Sequence, residues 1–160
     1  MNAISALGRY WHPGVSVDAQ RISSIFGNLA SHWIGSATGH ARVAEPMAAL
    51  FDLYQRCRVE DWNGEDADAI SFEALIEASK LLSLLPSSIP TPEFLSEPAG
   101  AIAFEWYQGR NRVYLLSISG KKSIEFAGLI GYGNEIHGKT NFEDSLPQVI
   151  QDQLREFFRQ

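Results

Sequence analysis

The spacing of apolar residues changes period near residue 100, and this change restricts the fold more than any other feature of the chain. Upstream, apolar residues recur every three or four positions, which is typical of helices that bury one face. Downstream the period becomes two, which is typical of strands; the segments are 102–106, 113–118 and 124–129. Short glycine-containing breaks between them predict hairpins, so successive strands should pair antiparallel.

This pattern predicts an α+β fold, an antiparallel meander of about four strands packed by helices, with a helical N-terminal extension. A fourth strand is expected at residues 135–140, and a short edge strand could form at 93–96 among prolines. A capping box at Ser145 and Gln148 predicts the start of the last helix. The other helices are predicted at 18–33, from Pro46 to a point before Trp62, and from Ser71 to Pro86.

Composition divides the chain into two parts. The glycine-rich stretch 35–39 separates residues 1–44, interpreted as an N-terminal extension with one amphipathic helix, from residues 45–160, interpreted as the α+β domain. The first part has three arginines and one aspartate, net charge +2, and the second has ten basic and eighteen acidic residues, net charge −8. An acidic chain without a basic cluster repels phosphate backbones, so a nucleic-acid partner is not expected.

The longest apolar runs are far shorter than the roughly 20 residues that cross a bilayer, so no membrane partner is expected. The N-terminus lacks a basic start followed by an apolar stretch, which favours a cytoplasmic location over secretion. The single cysteine, Cys57, excludes an internal disulfide and is interpreted as a small buried hydrophobe.

Residues 60–68 place Trp62 among five carboxylates and contain an Asn-Gly pair. This pair predicts a sharp turn, because both residues tolerate positive φ. Oxygen-rich loops suit Ca²⁺, but the EF-hand pattern needs glycine at its sixth place, where Asp66 stands, and glutamate at its twelfth, where Phe72 stands. An acidic start to the next helix is therefore favoured over a calcium site.

Other candidate chemistry is weaker. The four histidines form no close pair, so neither a metal site nor a cofactor is expected from them. Glu105 and Glu125 could share a sheet face as an acid/base pair, although a solvent-facing position is favoured for both. The glycine-rich segment 128–134 lacks the lysine of a phosphate loop and is interpreted as a strand end. Trp106, Tyr107 and Tyr114 could form a binding surface or pack in the core.

Landmarks from Asp61 onward follow a recognisable order: Trp62-Asn63-Gly64, Ala67, Ile70-Ser71, Leu84-Leu85-Pro86, Pro90-Thr91-Pro92, Glu97-Pro98-Ala99-Gly100, Ile102-Ala103-Phe104-Glu105-Trp106, Ile124-Glu125-Phe126-Ala127-Gly128 and His137-Gly138. In this order they resemble a family of small, functionally uncharacterised bacterial α+β domains. The resemblance implies a shared α+β fold and carries no catalytic residues. Asn63 stands where that family more often has aspartate, and the first 44 residues have no counterpart in it.

Three functional hypotheses follow. The first is a non-enzymatic protein-binding module, an antitoxin-, immunity- or inhibitor-like component that acts on another protein. Its predicted contacts are Trp11, Trp33, Asp61, Trp62, Glu65 and Asp66. The alternative is a small metal-dependent hydrolase that uses the acidic 60–68 segment with His137 or Glu105. The third is a homo-oligomer in which residues 18–33 pair with a second copy.

Overall fold

The computed structural model describes residues 40–159, and this part of the chain contains three helices and five strands. The predicted helix at 18–33 and the predicted contacts Trp11 and Trp33 lie outside it. The helices are α1 (His40–Cys57), α2 (Phe72–Leu84) and α3 (Gln148–Phe158). The strands are β1 (Glu93–Ser96), β2 (Ile102–Tyr107), β3 (Arg112–Ile118), β4 (Ser123–Ile130) and β5 (Glu135–Asn141).

The strands form one sheet in the order β1-β2-β3-β4-β5, and every neighbouring pair is antiparallel. This confirms the α+β fold and the meander. The sheet has five strands where about four were predicted, and the additional one is β1, the short edge strand considered at 93–96, which pairs with β2 along its whole length. Pro92 and Pro98 flank the paired residues of β1 without lying among them, so the missing proline amides cost the ladder no hydrogen bond.

Strand alternation gives the sheet two unlike faces. The inner face is fully buried at its centre, where its side chains are Ile102, Phe104, Trp106, Tyr114, Leu116, Ile118 and Ile124. Helices α2 and α3 contribute Leu75, Leu81, Ile150, Leu154 and Phe157 to the same core. At one end of this core the ring of Trp106 meets Phe158 edge-on, with 6.4 Å between centroids. The core therefore lies between one face of the sheet and the helices.

One of the three helix starts agrees with the start predicted from the sequence, and two differ from it. Ser71 caps α2 as predicted, since its hydroxyl oxygen accepts the amide hydrogen of Ala74 at 3.1 Å. The capping box predicted at Ser145 is wrong, because α3 begins at Gln148 and the cap residue is the extended Pro147, which makes no side-chain bond. Helix α1 begins at His40, so Pro46 lies inside it and removes one early helical bond.

Arg112, at the start of β3, closes the C-terminal end of α3. Its Nε donates to the carbonyl oxygen of Phe157 at 3.0 Å, and its Nη2 donates to that of Arg159 at 2.8 Å. The guanidinium carbon also lies 5.7 Å from the centre of the Phe157 ring. A helix end leaves carbonyl groups without helical partners, and this arginine satisfies them with positive charge. None of the described helices is both long and apolar enough to cross a lipid bilayer.

Candidate partner-binding surfaces

The backbone of residues 60–68, the acidic turn, is ordered by hydrogen bonds within the turn itself. The amide of Asp61 donates to the carbonyl of Ala67 at 2.8 Å, and the amide of Gly64 donates to the carbonyl of Asp61 at 3.0 Å. Asp61 also accepts the amide hydrogen of Asp66 on its Oδ1 at 3.0 Å. Three residues of the turn have positive φ: Asp61, Gly64 and Asp66. The turn is therefore a closed loop with a fixed backbone path.

Asn63 supplies the second group of bonds. Its Oδ1 accepts the amide hydrogens of Glu65 at 2.9 Å and of Ala67 at 3.2 Å. Short side chains with an oxygen in this position commonly organise turns in this way. An aspartate at this position would offer an oxygen to the same two amides.

The acidic turn is closed by the Trp62 side chain and attached at its end to the first hairpin. Trp62 is half-buried, and its Nε1 donates to the carbonyl of Asp68, within the turn, at 3.0 Å. The amide of Asp68 donates to the carbonyl of Pro98, in the β1–β2 turn, at 2.8 Å. Next to this bond, Gly100 packs so closely that a Cβ on it would lie 2.8 Å from the carbonyl oxygen of Ala69. The turn cannot move without breaking these contacts.

The carboxylates of the acidic turn are open to solvent, and that of Asp61 also accepts the amide hydrogen of Asp66. All five acidic residues are exposed: Glu60, Asp61, Glu65, Asp66 and Asp68. None of them forms an ion pair in the part of the chain that the structure describes. Four of the predicted contacts, Asp61, Trp62, Glu65 and Asp66, thus come together on one ordered turn.

The described residues contain no group of three or more histidine, cysteine, aspartate or glutamate side chains placed to hold a metal ion. The groups named for hydrolysis lie apart in the fold. Glu105 is on β2 and His137 on β5, with β3 and β4 between them. The acidic turn instead contacts the β1–β2 turn.

The second candidate surface is the outer face of the sheet, which faces away from α2 and α3. Strand register places Tyr107, Val113 and Leu129 in one row across β2, β3 and β4. Val113 and Leu129 are half-buried, and Tyr107 is 65% exposed. The neighbouring row contains half-buried Leu115. This end of the face is an apolar patch that solvent reaches.

The charged residues of the outer face do not form the pair that the acid/base hypothesis requires. Glu105 and Glu125 do share this face, but β3 lies between their strands. Glu125 pairs with Lys139 of β5, with 2.9 Å between Oε1 and Nζ. The residue directly opposite Glu105 is Glu93 of β1. Glu125 is exposed and Glu105 half-buried, so the favoured solvent-facing interpretation holds fully for Glu125 only.

The three aromatic residues considered for a surface separate between the two faces. Trp106 and Tyr114 are buried on the inner face, with 6.1 Å between ring centroids, whereas Tyr107 is on the outer face. A surface formed by all three is therefore wrong. The glycine-rich segment ends β4, as predicted, and Gly128 leaves space for Tyr114, whose Cδ2 would lie 2.9 Å from a Cβ there.

Two polar side chains, buried Tyr114 and half-buried Glu77, bond helices to other parts of the domain. The Tyr114 hydroxyl donates to Oε1 of Gln153 in α3 at 2.6 Å, and burial raises the pKa of this phenol well above its ordinary value. Glu77 of α2 accepts the amide hydrogen of Lys122, in the β3–β4 turn, at 2.7 Å on Oε1, while its Oε2 is buried and has no hydrogen-bond partner among the described residues. The first bond joins α3 to the sheet and the second joins α2 to a hairpin turn, and sequence alone did not indicate either pairing.

Comparison of the chain with models of protein families, with curated proteins and with solved structures finds no match. The resemblance to small bacterial α+β domains therefore stays a prediction. Function has to be argued from the two surfaces themselves.

Proposed function

We propose that the chain is a protein-binding module whose acidic turn docks on a basic surface of another protein. The observation that carries this proposal is the combination of five exposed carboxylates, outside every ion pair of the described residues, with a backbone that their own turn already holds in place. A surface ordered before binding loses little conformational entropy when the partner arrives. Such a surface favours both affinity and a defined orientation.

The charge of the turn indicates the chemistry of the partner. Complementary potentials steer association and exclude partners of like charge. The whole chain has a net charge of −6, which adds to the same field. We expect a partner with clustered lysine or arginine, bound more weakly as salt concentration rises.

Trp62 supplies an aromatic group at the centre of the charged segment. It is half-buried, so part of this residue remains available at the surface. Aromatic residues surrounded by polar ones are frequent anchors in protein interfaces. An antitoxin-, immunity- or inhibitor-like role in the cytoplasm fits this chemistry, because such proteins act by covering a surface of their target. Trp11 and Trp33 belong to the same proposal as further contacts.

Copurification of the tagged full chain from its native host tests the proposal. The test variant is Glu65→Gln with Asp66→Asn, which removes two charges; asparagine tolerates the positive φ at position 66. We expect this variant to lose the partner that the wild-type chain retains. The matched control is Asp52→Asn with Glu143→Gln, which removes two charges from exposed residues elsewhere and should retain it.

Two results would contradict the proposal. One is recovery of the wild-type chain alone at every salt concentration. The other is equal recovery of a partner by the test variant and the control, which would exclude the acidic turn as the contact.

A further inference from the structure

Strand β5 lies at an edge of the sheet that the described residues form. Among the described residues it has a neighbouring strand, β4, on one side only. It runs for seven residues, Glu135–Asn141, and contains no proline. The opposite edge, β1, has four residues and lies between Pro92 and Pro98, which is one way in which proteins protect an edge. Of the two edges, β5 is the better template for another strand.

The bonds between β4 and β5 show which backbone groups of β5 face outward. The amide of Ile130 donates to the carbonyl of Asn134, and that of Phe142 donates to the carbonyl of Lys122, both at 2.9 Å. Both bonds follow the register of the two strands, and bonded pairs alternate with unbonded ones in an antiparallel ladder. Even-numbered residues of β5 therefore bond to β4. The odd-numbered residues direct their N–H and C=O groups to the open edge.

The outward-directed residues of β5 are complementary to a second copy of the same strand. Glu135 and Lys139 lie two positions on either side of His137. If two β5 strands pair antiparallel with His137 opposite His137, Glu135 of each copy lies opposite Lys139 of the other. Lys139 already pairs with Glu125 of its own chain at 2.9 Å, so Glu135 of the second copy would add a second carboxylate to the same exposed ammonium group. Opposite charges placed directly across two strands attract. A contact that uses the same patch on both copies closes with two-fold symmetry.

The inner face of β5 fits the same register. Ile136 lies opposite Gly138 of the second copy, and the ring of Phe126 covers Gly138 so closely that a Cβ would lie 2.6 Å from its Cζ. Ile136 and Phe126 are both half-buried. Pairing brings Ile136 of each copy towards the Phe126 ring of the other, which removes apolar surface from water.

We propose that two copies of the chain associate through their β5 strands, centred on His137, so that one sheet continues across both. The proposal is independent of the acidic turn, which lies on a different part of the domain. It also differs from self-association through residues 18–33, because the contact belongs to the sheet.

Sedimentation equilibrium of the full chain measures this association. The wild-type chain should form a reversible dimer. Glu135→Lys places lysine opposite Lys139, and Lys139→Glu places glutamate opposite Glu135, so each variant alone should associate at least tenfold more weakly. An equimolar mixture of the two variants should form a heterodimer whose dissociation constant is within a few-fold of the wild-type value. In this heterodimer the two lysines of one variant lie opposite the two glutamates of the other.

A proline variant tests the backbone bonds. His137→Pro removes an amide that points to the open edge and leaves the bonds to β4 in place, so the variant should be monomeric with an unchanged circular dichroism spectrum. If His137→Pro does not fold, Glu135→Lys and Lys139→Glu still test whether the chain associates through β5. Three results would each overturn the proposal: a monomeric wild-type chain at every concentration, an undiminished dimer in Glu135→Lys, or a mixture that stays monomeric.

Discussion

Tyr114 joins the sheet to α3 through a single polar atom in an apolar core. Its side chain is fully buried, and its hydroxyl bonds to Gln153. Burial disfavours the phenolate, so the folded chain retains this proton at pH values where the unfolded chain has lost it. The free energy of unfolding should consequently fall as the pH rises above about 10, the ordinary pKa of tyrosine.

Tyr114→Phe tests this dependence. At pH 7 the variant should be about 1 kcal/mol less stable, since Gln153 loses its donor. Above pH 10 the wild-type chain should lose about 1.4 kcal/mol per pH unit through this residue, because only its unfolded state releases the proton, while the variant loses nothing there. The two free energies of unfolding, measured with urea from pH 7 to 11, should therefore converge. A constant difference would contradict the assignment.

The acidic turn illustrates how far single residues could be predicted. The Asn-Gly pair correctly indicated a turn, and Gly64 has positive φ. The other positive φ angles belong to Asp61 and Asp66, because bonds from the Asp61 carboxylate and from Asn63 hold the backbone there. These bonds depend on side-chain positions several residues away, and a local propensity does not contain them.

At the scale of elements, the hairpins were predictable because period and glycine breaks are local signals. The pairing of β1 was underestimated, because the prolines on both sides of it favour an extended loop. These prolines do not determine whether the four residues between them pair with a strand. The bonds from Arg112 to the end of α3, the Arg112 clamp, were not predicted. Arg112 is 45 positions away from Phe157 in the sequence, so no local pattern at the helix end indicates it.

Arg112→Ala should destabilise the domain by about 2 to 3 kcal/mol, because charged hydrogen bonds to the last carbonyls of α3 are lost. The stability of Arg112→Lys should lie between those of Arg112→Ala and the wild-type chain, since an ammonium group cannot reproduce the forked contact with several carbonyls. Arg110→Ala, at an exposed neighbouring position, is the control and should change stability by less than about 0.5 kcal/mol. Urea unfolding followed by circular dichroism measures all three. Equal stability of the Arg112→Ala variant and the wild-type chain would exclude the clamp.

At the scale of the whole molecule, the two leading functional hypotheses differ in their response to cations. Counted from Asp61, the chain has Asp66 and Phe72 at the places where an EF-hand loop needs glycine and a closing glutamate. We therefore expect Ca²⁺, Mg²⁺, Mn²⁺ or Zn²⁺, each added to chelator-treated protein, to leave the melting temperature unchanged. A saturable rise with any one of them would favour the metal-dependent hydrolase, because a ligand that binds only the folded state stabilises it.

The attachment of the acidic turn links distant parts of the chain. Just after it, the amide of Ile70 bonds to the carbonyl of Cys57 at the end of α1, and within it Asp68 bonds to Pro98 in the first hairpin. A partner that binds residues 60–68 therefore also restrains the junction between α1 and the β1–β2 hairpin. Hydrogen exchange at amides in α1 and in the first hairpin should slow on complex formation, far beyond the footprint of the partner itself.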